Sequence, residues 1–511
     1  MDKSFMFNCK GACYPLKLAD DINLSLDKPI APLVDIAAAK IVESSSVTHA
    51  CLDFIPTELF INLMQAALLY ERDASVAVLI HKWPWQKLIL KNIAPVIDDN
   101  LLILHDCDLK IKKVRRGLKY TTTLVTNFLD CRKKRSPSKL KFMDLSGFPV
   151  ADVITHYLCS HCLLVFNENR QREIIKLYNE CREQIPHLPQ ANYTVDETFP
   201  DEQYVVRLDA FVRTKQLALE LIKAAQVSDN CTLRIEVNKL DLTCLGEGVI
   251  GQVLTEVDKE RLLSLRLQYN SLTSDSMVTL APVLQQCHNV TELDISCNGL
   301  VLIHNRAACD AVRNVLKQMK FIRRLDLSNC WVRNSLFLLL ENVAMPLQHL
   351  CLNGCRLTSE DLEYLARSRH ATALVELDLS ENHFSDCNRA VRNLLVACKS
   401  SLKILEIEDC KLNDVDLLTL VSLASSLDEL RFLNVNHNRF TDPTVTEAVR
   451  AFAKTSDLQV LKLSCPEIYV SANNADVFNM NYDEDTGMLM FCGRMDAIVQ
   501  EMASKMEVVV T

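Results

Sequence analysis

Long apolar runs are missing from this sequence of 511 residues: none approaches the 18 that a membrane-spanning helix needs. The opening MDKSFMFNCKGACYPLKLADDINL also lacks the continuous apolar stretch of a signal peptide. A surplus of charge is lacking as well. The net charge of −9 gives no global reason to expect a nucleic-acid partner, and a membrane partner is not expected either. These absences predict an intracellular protein of the cytoplasm, with the nucleus left open by the basic runs KKVRR (112 to 116) and RKKR (132 to 135), which otherwise read as solvated helix faces. The 21 cysteines, scattered through a chain without an export signal, are expected to be reduced thiols.

Catalytic constellations are missing too. GEGVIGQV (246 to 253) matches the phosphate-covering loop of protein kinases, but no V-A-I-K, H-R-D or D-F-G accompanies it, so the match reads as accidental. HYLCSHC places His156, Cys159, His161 and Cys162 together, yet no second ligand pair follows, and packing as small hydrophobes is the simpler reading. No enzyme activity, metal or cofactor is expected.

What is present is a repeat. Seven segments share the template LxxLxLxx(N/C)xL: LLSLRLQYNSL, VTELDISCNGL, IRRLDLSNCWV, LQHLCLNGCRL, LVELDLSENHF, LKILEIEDCKL and LRFLNVNHNRF. Their landmarks Asn270, Asn298, Cys330, Cys355, Asn382, Cys410 and Asn438 are spaced by 28, 32, 25, 27, 28 and 28 residues. Alternating leucines make a short strand with one buried face, and the landmark serves backbone groups where the strand turns away. SEDLEYLARSR and DVDLLTLVSLASS have helical apolar spacing, so each unit is strand, turn, helix and return. One unit cannot bury its own face, whereas stacked units can. The predicted fold is therefore an α/β leucine-rich-repeat solenoid, a horseshoe of ribonuclease-inhibitor-like repeats, with an N-terminal helical region. Fainter copies at LKFMDLSGFPV (140 to 150) and LRIEVNKLDL (233 to 242) extend the array forward, and 186 to 204 reads as an irregular loop between them. The expected organisation is a helical region over 1–135, the solenoid over 136–470 and a capping segment over 471–511.

On the strand face, positions between the buried leucines should project toward solvent. Asp294, Asp326, Asp378, Glu406 and Glu408 fall there, with Arg266 and Lys462 at the ends. Either this acidic middle binds a basic segment of a partner, or LDLS is a common repeat spelling whose aspartate stays solvated.

Two helices precede the repeats. PLVDIAAAKI (32 to 41) sets Leu33, Ala37 and Ile41 four residues apart, a face suited to a groove on another protein. Pro32, Leu33, Ala37 and Ile41 resemble the elongin-binding BC box, with alanine where cysteine is commoner. IPTELFINLM (55 to 64) opens on Pro56 and aligns Leu59 with Leu63, a face that is either core or docking surface. Ile55, Pro56, Leu59 and Leu63 resemble the cullin-2 box, which follows the BC box in elongin-and-cullin receptors.

The stretch CLDFIPTELFINLMQAALLYERDASVAVLIHKWPW resembles the PRAME family of leucine-rich-repeat proteins. That family has a P-x-E-L-F helix, here Pro56 to Phe60, followed by a tryptophan-proline-aromatic motif, here Trp83-Pro84-Trp85. Ile61 replaces a frequent second proline, and Trp85 replaces phenylalanine. The resemblance extends over nearly the whole chain and is similar in order to the leucine-rich repeat-containing protein 14 subgroup. It implies a substrate-recognition subunit of a ubiquitin ligase built on cullin-2, its RING subunit and elongins B and C. A second implied reading is an inhibitor that needs no ligase and masks a kinase partner in inflammatory signalling of the NF-kappa-B type.

Overall fold

The computed structural model describes residues 32–94, 107–133, 138–164, 203–228 and 231–454 apart from 304, 385–386, 425 and 428; it also describes 458–464, 484–502 and 506–510. The chain forms two compact units, one of residues 1–241 with 255–261, the other of residues 242–254 with 262–511.

The first unit begins with four helices: α1 (Leu33–Val42), α2 (Ser45–Cys51), α3 (Phe60–Leu69) and α4 (Asp73–His81). There follow β1 (Lys87–Ile89), α5 (Cys107–Lys133), β2 (Phe142–Asp144), α6 (152–164), β3 (Tyr204–Val212), α7 (Lys215–Val227) and β4 (Leu233–Leu242). Both faint repeat copies are strands. A parallel ladder runs Lys87, Phe142, Val205 across β1 to β3, so strand pairing begins in KLI, earlier than the leucine template reaches. Tyr204, at the end of the expected loop, already belongs to β3; residues 186–202 of that loop lie outside the described residues.

The second unit alternates strand and helix: α8 (Glu247–Glu256), β5 (Ser264–Arg266), α9 (Ser274–Leu284), β6 (Glu292–Asp294), α10 (Arg306–Gln318), β7 (Arg324–Asp326) and α11 (Leu336–Leu340). It continues with β8 (His349–Cys351), α12 (Ser359–Arg367), β9 (Glu376–Asp378), α13 (Asn388–Cys398), β10 (Ile404–Glu406) and α14 (Asp414–Ala424). It closes with β11 (Phe432–Asn434), α15 (Asp442–Lys454), β12 (Val460–Leu463), α16 (Glu484–Glu501) and β13 (Glu507–Val510). β5 through β13 pair in parallel, in chain order, without a slip of register.

Register makes the core. Leu265, Leu293, Leu325, Leu350, Leu377, Leu405, Leu433 and Leu461 occupy the same rung of successive strands, and none is more than 1% exposed. A second row two residues on, from Leu267 to Leu463, is buried as well. Fully burying a leucine side chain contributes about 1.5 to 3 kcal/mol, so the paired rows are the principal source of the unit's stability.

The landmarks join the repeats. Asn298 donates through Nδ2 to the carbonyls of Leu267 (2.9 Å) and Ile295 (3.0 Å), while its Oδ1 accepts from the N–H of Asn270 (3.0 Å) and Leu272 (3.1 Å). Asn270, Asn382 and Asn438 repeat this pattern. Cysteine replaces only the donor half: Cys355 Sγ reaches Leu327 O at 3.1 Å, and Cys410 Sγ reaches Leu379 O at 3.3 Å. The residue before each landmark takes the left-handed conformation; at Gly354 (φ +63°) an added Cβ would lie 2.5 Å from Asn329 Oδ1.

Helix length follows repeat length. The 32-residue spacing encloses the 13-residue α10, and the 25-residue spacing encloses α11 with 5 residues. α12 is held at its start by a capping box between Thr358 and Asp361.

Candidate docking surfaces

The first surface lies on α1. Pro32 caps the helix with an extended ψ of 141°, and the N–H of Asp35 donates to its carbonyl at 2.9 Å. At the other end the Ser75 hydroxyl donates to Val42 O at 2.8 Å, and the Thr48 hydroxyl lies 3.0 Å from Ile41 O. Those bonds satisfy carbonyls that a helix end leaves open and so fix the helix in place. Ala38 and Val42 point into the core, whereas Leu33 is 80% exposed and Val34, Ile36 and Ala37 are exposed beside it. Of the residues expected to meet elongin, Pro32, Leu33 and Ala37 thus lie open and Ile41 is half-buried.

The second predicted face is divided. Pro56 is exposed and opens a short 3-10 turn, Thr57–Leu59, before α3 starts at Phe60. Ile55 and Leu59 are half-buried, but Leu63 is 2% exposed and belongs to the unit's own core with Phe60 and Met64. Phe60 lies edge-on to Trp83 and Trp85, with ring centroids 6.4 and 6.5 Å away, and the two tryptophans meet at 5.3 Å. The P-x-E-L-F and W-P-W stretches therefore form one aromatic cluster, closed by the bond from Trp83 Nε1 to Lys87 O (3.0 Å). Sequence reasoning passed over Phe54, which is 87% exposed between the two predicted faces. Its position directly before Ile55-Pro56 was the available signal.

The third surface is the strand face of the second unit. Arg266, Asp294, Asp326, Cys351, Asp378, Glu406, Asn434 and Lys462 share one rung. Asp294, Asp326 and Glu408 are half-buried, but Asp378 and Glu406 are 4% and 8% exposed, which corrects the expectation that this row projects freely into water. The reason is local bonding. Asp294, Asp326 and Asp378 each accept the N–H of the serine two residues on, at 2.9, 2.8 and 2.9 Å, and Asn434 donates to Glu406 and Glu408 at 3.1 and 2.8 Å. Burial, reinforced by the neighbouring carboxylates of Asp294 and Asp378, pushes the Asp326 carboxyl up to about 7, although its bonds to Ser328 oppose the rise.

Two residues earlier on the same face, Arg324, His349 and Glu376 meet across three strands: Glu376 Oε2 lies 2.8 Å from His349 Nδ1 and 3.1 Å from Arg324. Burial alone would raise the Glu376 carboxyl, but the hydrogen bond with His349 and the Arg324 guanidinium outweigh it and hold it below its ordinary value.

The tempting motifs dissolve into the fold. GEGVIGQV is the turn and first part of α8, where the N–H of Leu245 and Gly246 donate to Asn270 Oδ1 at 2.7 and 3.3 Å. In HYLCSHC, His156 pairs with Glu220 at the surface, Cys162 meets Cys231 in the core (3.5 Å) and His161 lies 3.4 Å from the Tyr204 hydroxyl. No group of three or more metal-ligating side chains occurs among the described residues. Among them, also, no helix is long and apolar enough to cross a membrane. KKVRR lies on α5, with Lys113 buried, so that run is not a uniform solvated face. Arg132 covers the Phe128 and Tyr204 rings; Lys134 and Arg135 are outside the described residues.

In-register leucine rows tied by a landmark ladder define a leucine-rich-repeat protein, a class whose members act typically as non-catalytic scaffolds for protein binding. The chain belongs to the PRAME family: the model of the PRAME N-terminal domain matches residues 30–124 and that of the PRAME C-terminal domain residues 300–480, with a Leucine Rich repeat at 286–300. Leucine-rich repeat-containing protein 14 of Xenopus laevis is 23% identical over 440 residues, covering 82% of this chain and 83% of that protein. Ribonuclease inhibitor of Sus scrofa is 31% identical over 147 residues, 28% of this chain and 32% of the inhibitor. Among solved structures, a yeast Rad7 and Elc1 complex aligns with a TM-score of 0.40 and 14% identity over 86% of this chain and 94% of that one, a likeness too slight to bear on function.

Proposed function

We propose that this protein is the substrate-recognition subunit of a cullin-2 elongin RING ubiquitin ligase, working in the cytoplasm or nucleus, and that it performs no catalysis of its own. The observation that carries the proposal is the open apolar face of α1. An 80% exposed leucine on the first turn of a helix that is itself anchored at its C-terminal end is a poor use of a large apolar side chain unless a partner covers it. Leu33, with Ala37 allowing close approach, would enter an apolar pocket on elongin C, while Ile55, Pro56 and Leu59 would face cullin-2. Leu63 would act from behind by holding α3 in place. The half-buried Asp294, Asp326 and Glu408 on the strand face would meet a basic segment of the substrate, with Asp378 and Glu406 supporting them.

The burial of Leu63 favours the second reading to this extent: of the cullin-facing set only Pro56 is fully exposed, with Ile55 and Leu59 half-buried and Leu63 in the core. Under that reading the solenoid masks a kinase partner and no ligase assembles. Pull-down of the purified chain with elongins B and C and cullin-2 separates the two. The ligase reading expects Leu33→Ser to lose elongin, and with it cullin, and Pro56→Ala with Leu59→Ser to keep elongin and lose cullin. A folded Pro56→Ala, Leu59→Ser protein that still recruits cullin, or a wild-type chain that recruits neither, overturns it; circular dichroism identifies variants that have merely unfolded.

A further inference from the structure

The turns that follow β7 to β11 carry a second regularity, independent of the leucines. Seven residues after the first residue of each strand, directly beyond the landmark, stand Trp331, Arg356, His383, Lys411 and Arg439. In-register pairing of the strands makes these positions equivalent, so they form one row along the edge where the strands end. Main-chain bonds extend the stacking into the turns, from Trp331 N to Leu300 O (2.9 Å), Val332 N to Cys355 O (3.2 Å) and Arg439 N to Leu412 O (2.9 Å). Trp331, Arg356, His383 and Arg439 are exposed, and Lys411 is half-buried.

The two arginines of this row are available to a ligand. The Arg356 guanidinium lies 3.6 Å from the centre of the Trp331 ring, which fixes its direction while both side chains stay in contact with solvent. Lys411 turns back to Asp409 at 2.5 Å. Arg356 and Arg439 have no carboxylate partner among the described residues. Arg356 and Lys411 also take positive φ, 57° and 60°, a backbone conformation that the turns impose.

We propose that this edge is a docking surface for an extended acidic segment of a partner protein. Neighbouring strands lie about 4.8 Å apart, so the row from Trp331 to Arg439 spans about 19 Å, the reach of roughly six residues of extended chain at about 3.3 Å each. The row is one residue wide, which fits a single peptide strand. A nucleic-acid backbone would also meet the carboxylates of the adjacent row, where exposed Glu381 and half-buried Asp409 stand two residues before His383 and Lys411. The edge is distinct from α1 and from the strand face, and the inference does not depend on ligase assembly.

Fluorescence anisotropy on the full chain tests it, with a labelled twelve-residue peptide of alternating glutamate and serine, the same peptide with lysine for glutamate, and a twelve-nucleotide oligothymidine. The expected result is binding of the acidic peptide alone, weakened by salt and weakened about tenfold or more in Arg356→Glu with Arg439→Glu. Trp331→Ala should weaken it about threefold by releasing Arg356. Glutamate is tolerated at positive φ in this fold, as Glu381 shows at 56°, and Arg439→Glu alone gives a variant free of that constraint. Undiminished binding by the folded variants, preference for oligothymidine, or no binding of the acidic peptide by the wild type overturns the proposal, whereas Leu33→Ser should leave it untouched.

Discussion

Asn298 Oδ1 accepts the main-chain N–H of Asn270 at 3.0 Å, so that each landmark asparagine supports the turn on which the landmark before it rides. Asn298→Ala removes both the donor and the acceptor half of that link and leaves buried carbonyl and N–H groups unserved. A loss of about 2 to 4 kcal/mol in urea unfolding is expected. Cys355→Ala removes only a thiol donor and should lose about 1 kcal/mol plus a small packing contribution. Equal losses at the two sites would show that the ladder contributes nothing beyond packing.

Leu379→Ala tests the rows of leucine directly. The side chain is fully buried on the row two residues beyond the shared rung, and its removal should destabilise by about 2 to 5 kcal/mol. A melting curve superimposable on wild type would mean that this row is not core.

Asp326 makes stability depend on pH in an unusual direction. Its carboxyl titrates near 7 in the folded protein against 3.8 ordinarily, so the folded state holds the proton more tightly than the unfolded chain does. The resulting penalty is absent below about pH 4, grows as pH rises, and is complete above about 7. Asp326→Asn should therefore stabilise at pH 8 by about 1 to 3 kcal/mol and leave stability at pH 4 almost unchanged. The bond to Ser328 N should survive, since Asn434 makes the equivalent bond to Asn436 N at 3.1 Å on the same rung. An asparagine variant that is no more stable at pH 8 than wild type would refute the assignment.

His370 works in the opposite sense. Its Nδ1 accepts from Leu347 N at 3.0 Å and its Nε2 faces Leu340 O at 3.3 Å, so the neutral ring bridges the chain between α11 and β8. Burial lowers its proton affinity, and the bond to Leu340 only partly offsets this. The unfolded chain takes up a proton near 6.5 where the folded one resists, so this contribution is present above pH 6.5 and declines below it. His370→Leu should lose about 2 to 4 kcal/mol at pH 7.5 by stranding two main-chain groups, and should weaken the further loss between pH 7.5 and 5.5. Parallel pH profiles for wild type and variant would exclude the bridge as a titrating element.

The repeat was legible without coordinates because its physics is periodic. Leucines alternating over a few residues, a landmark every 25 to 32 and a helix between them leave one way to bury the apolar face, and β5 to β11 lie where the template puts them. Pairing at β1 was not legible, since KLI carries no period of its own and becomes a strand only beside β2. Nor could the roles of equal-looking residues be read. Leu33 and Leu63 both occupy helical spacings behind a proline, yet one is 80% and the other 2% exposed, because α1 lies across α3 and covers one face of it. Asp294 and Asp378 share one spelling, ELD followed two residues later by serine, and the same bond to that serine, but Asp378 is buried and Asp294 only half so. The residue sequence by itself determined the period, the register and the leucine rows, which depend on neighbours in the chain and on an identical unit next door. Which faces stayed open, and which charges entered the strand face, only the tertiary structure decided, because burial is set by what packs across from a residue and not by the residue's own place in a repeat.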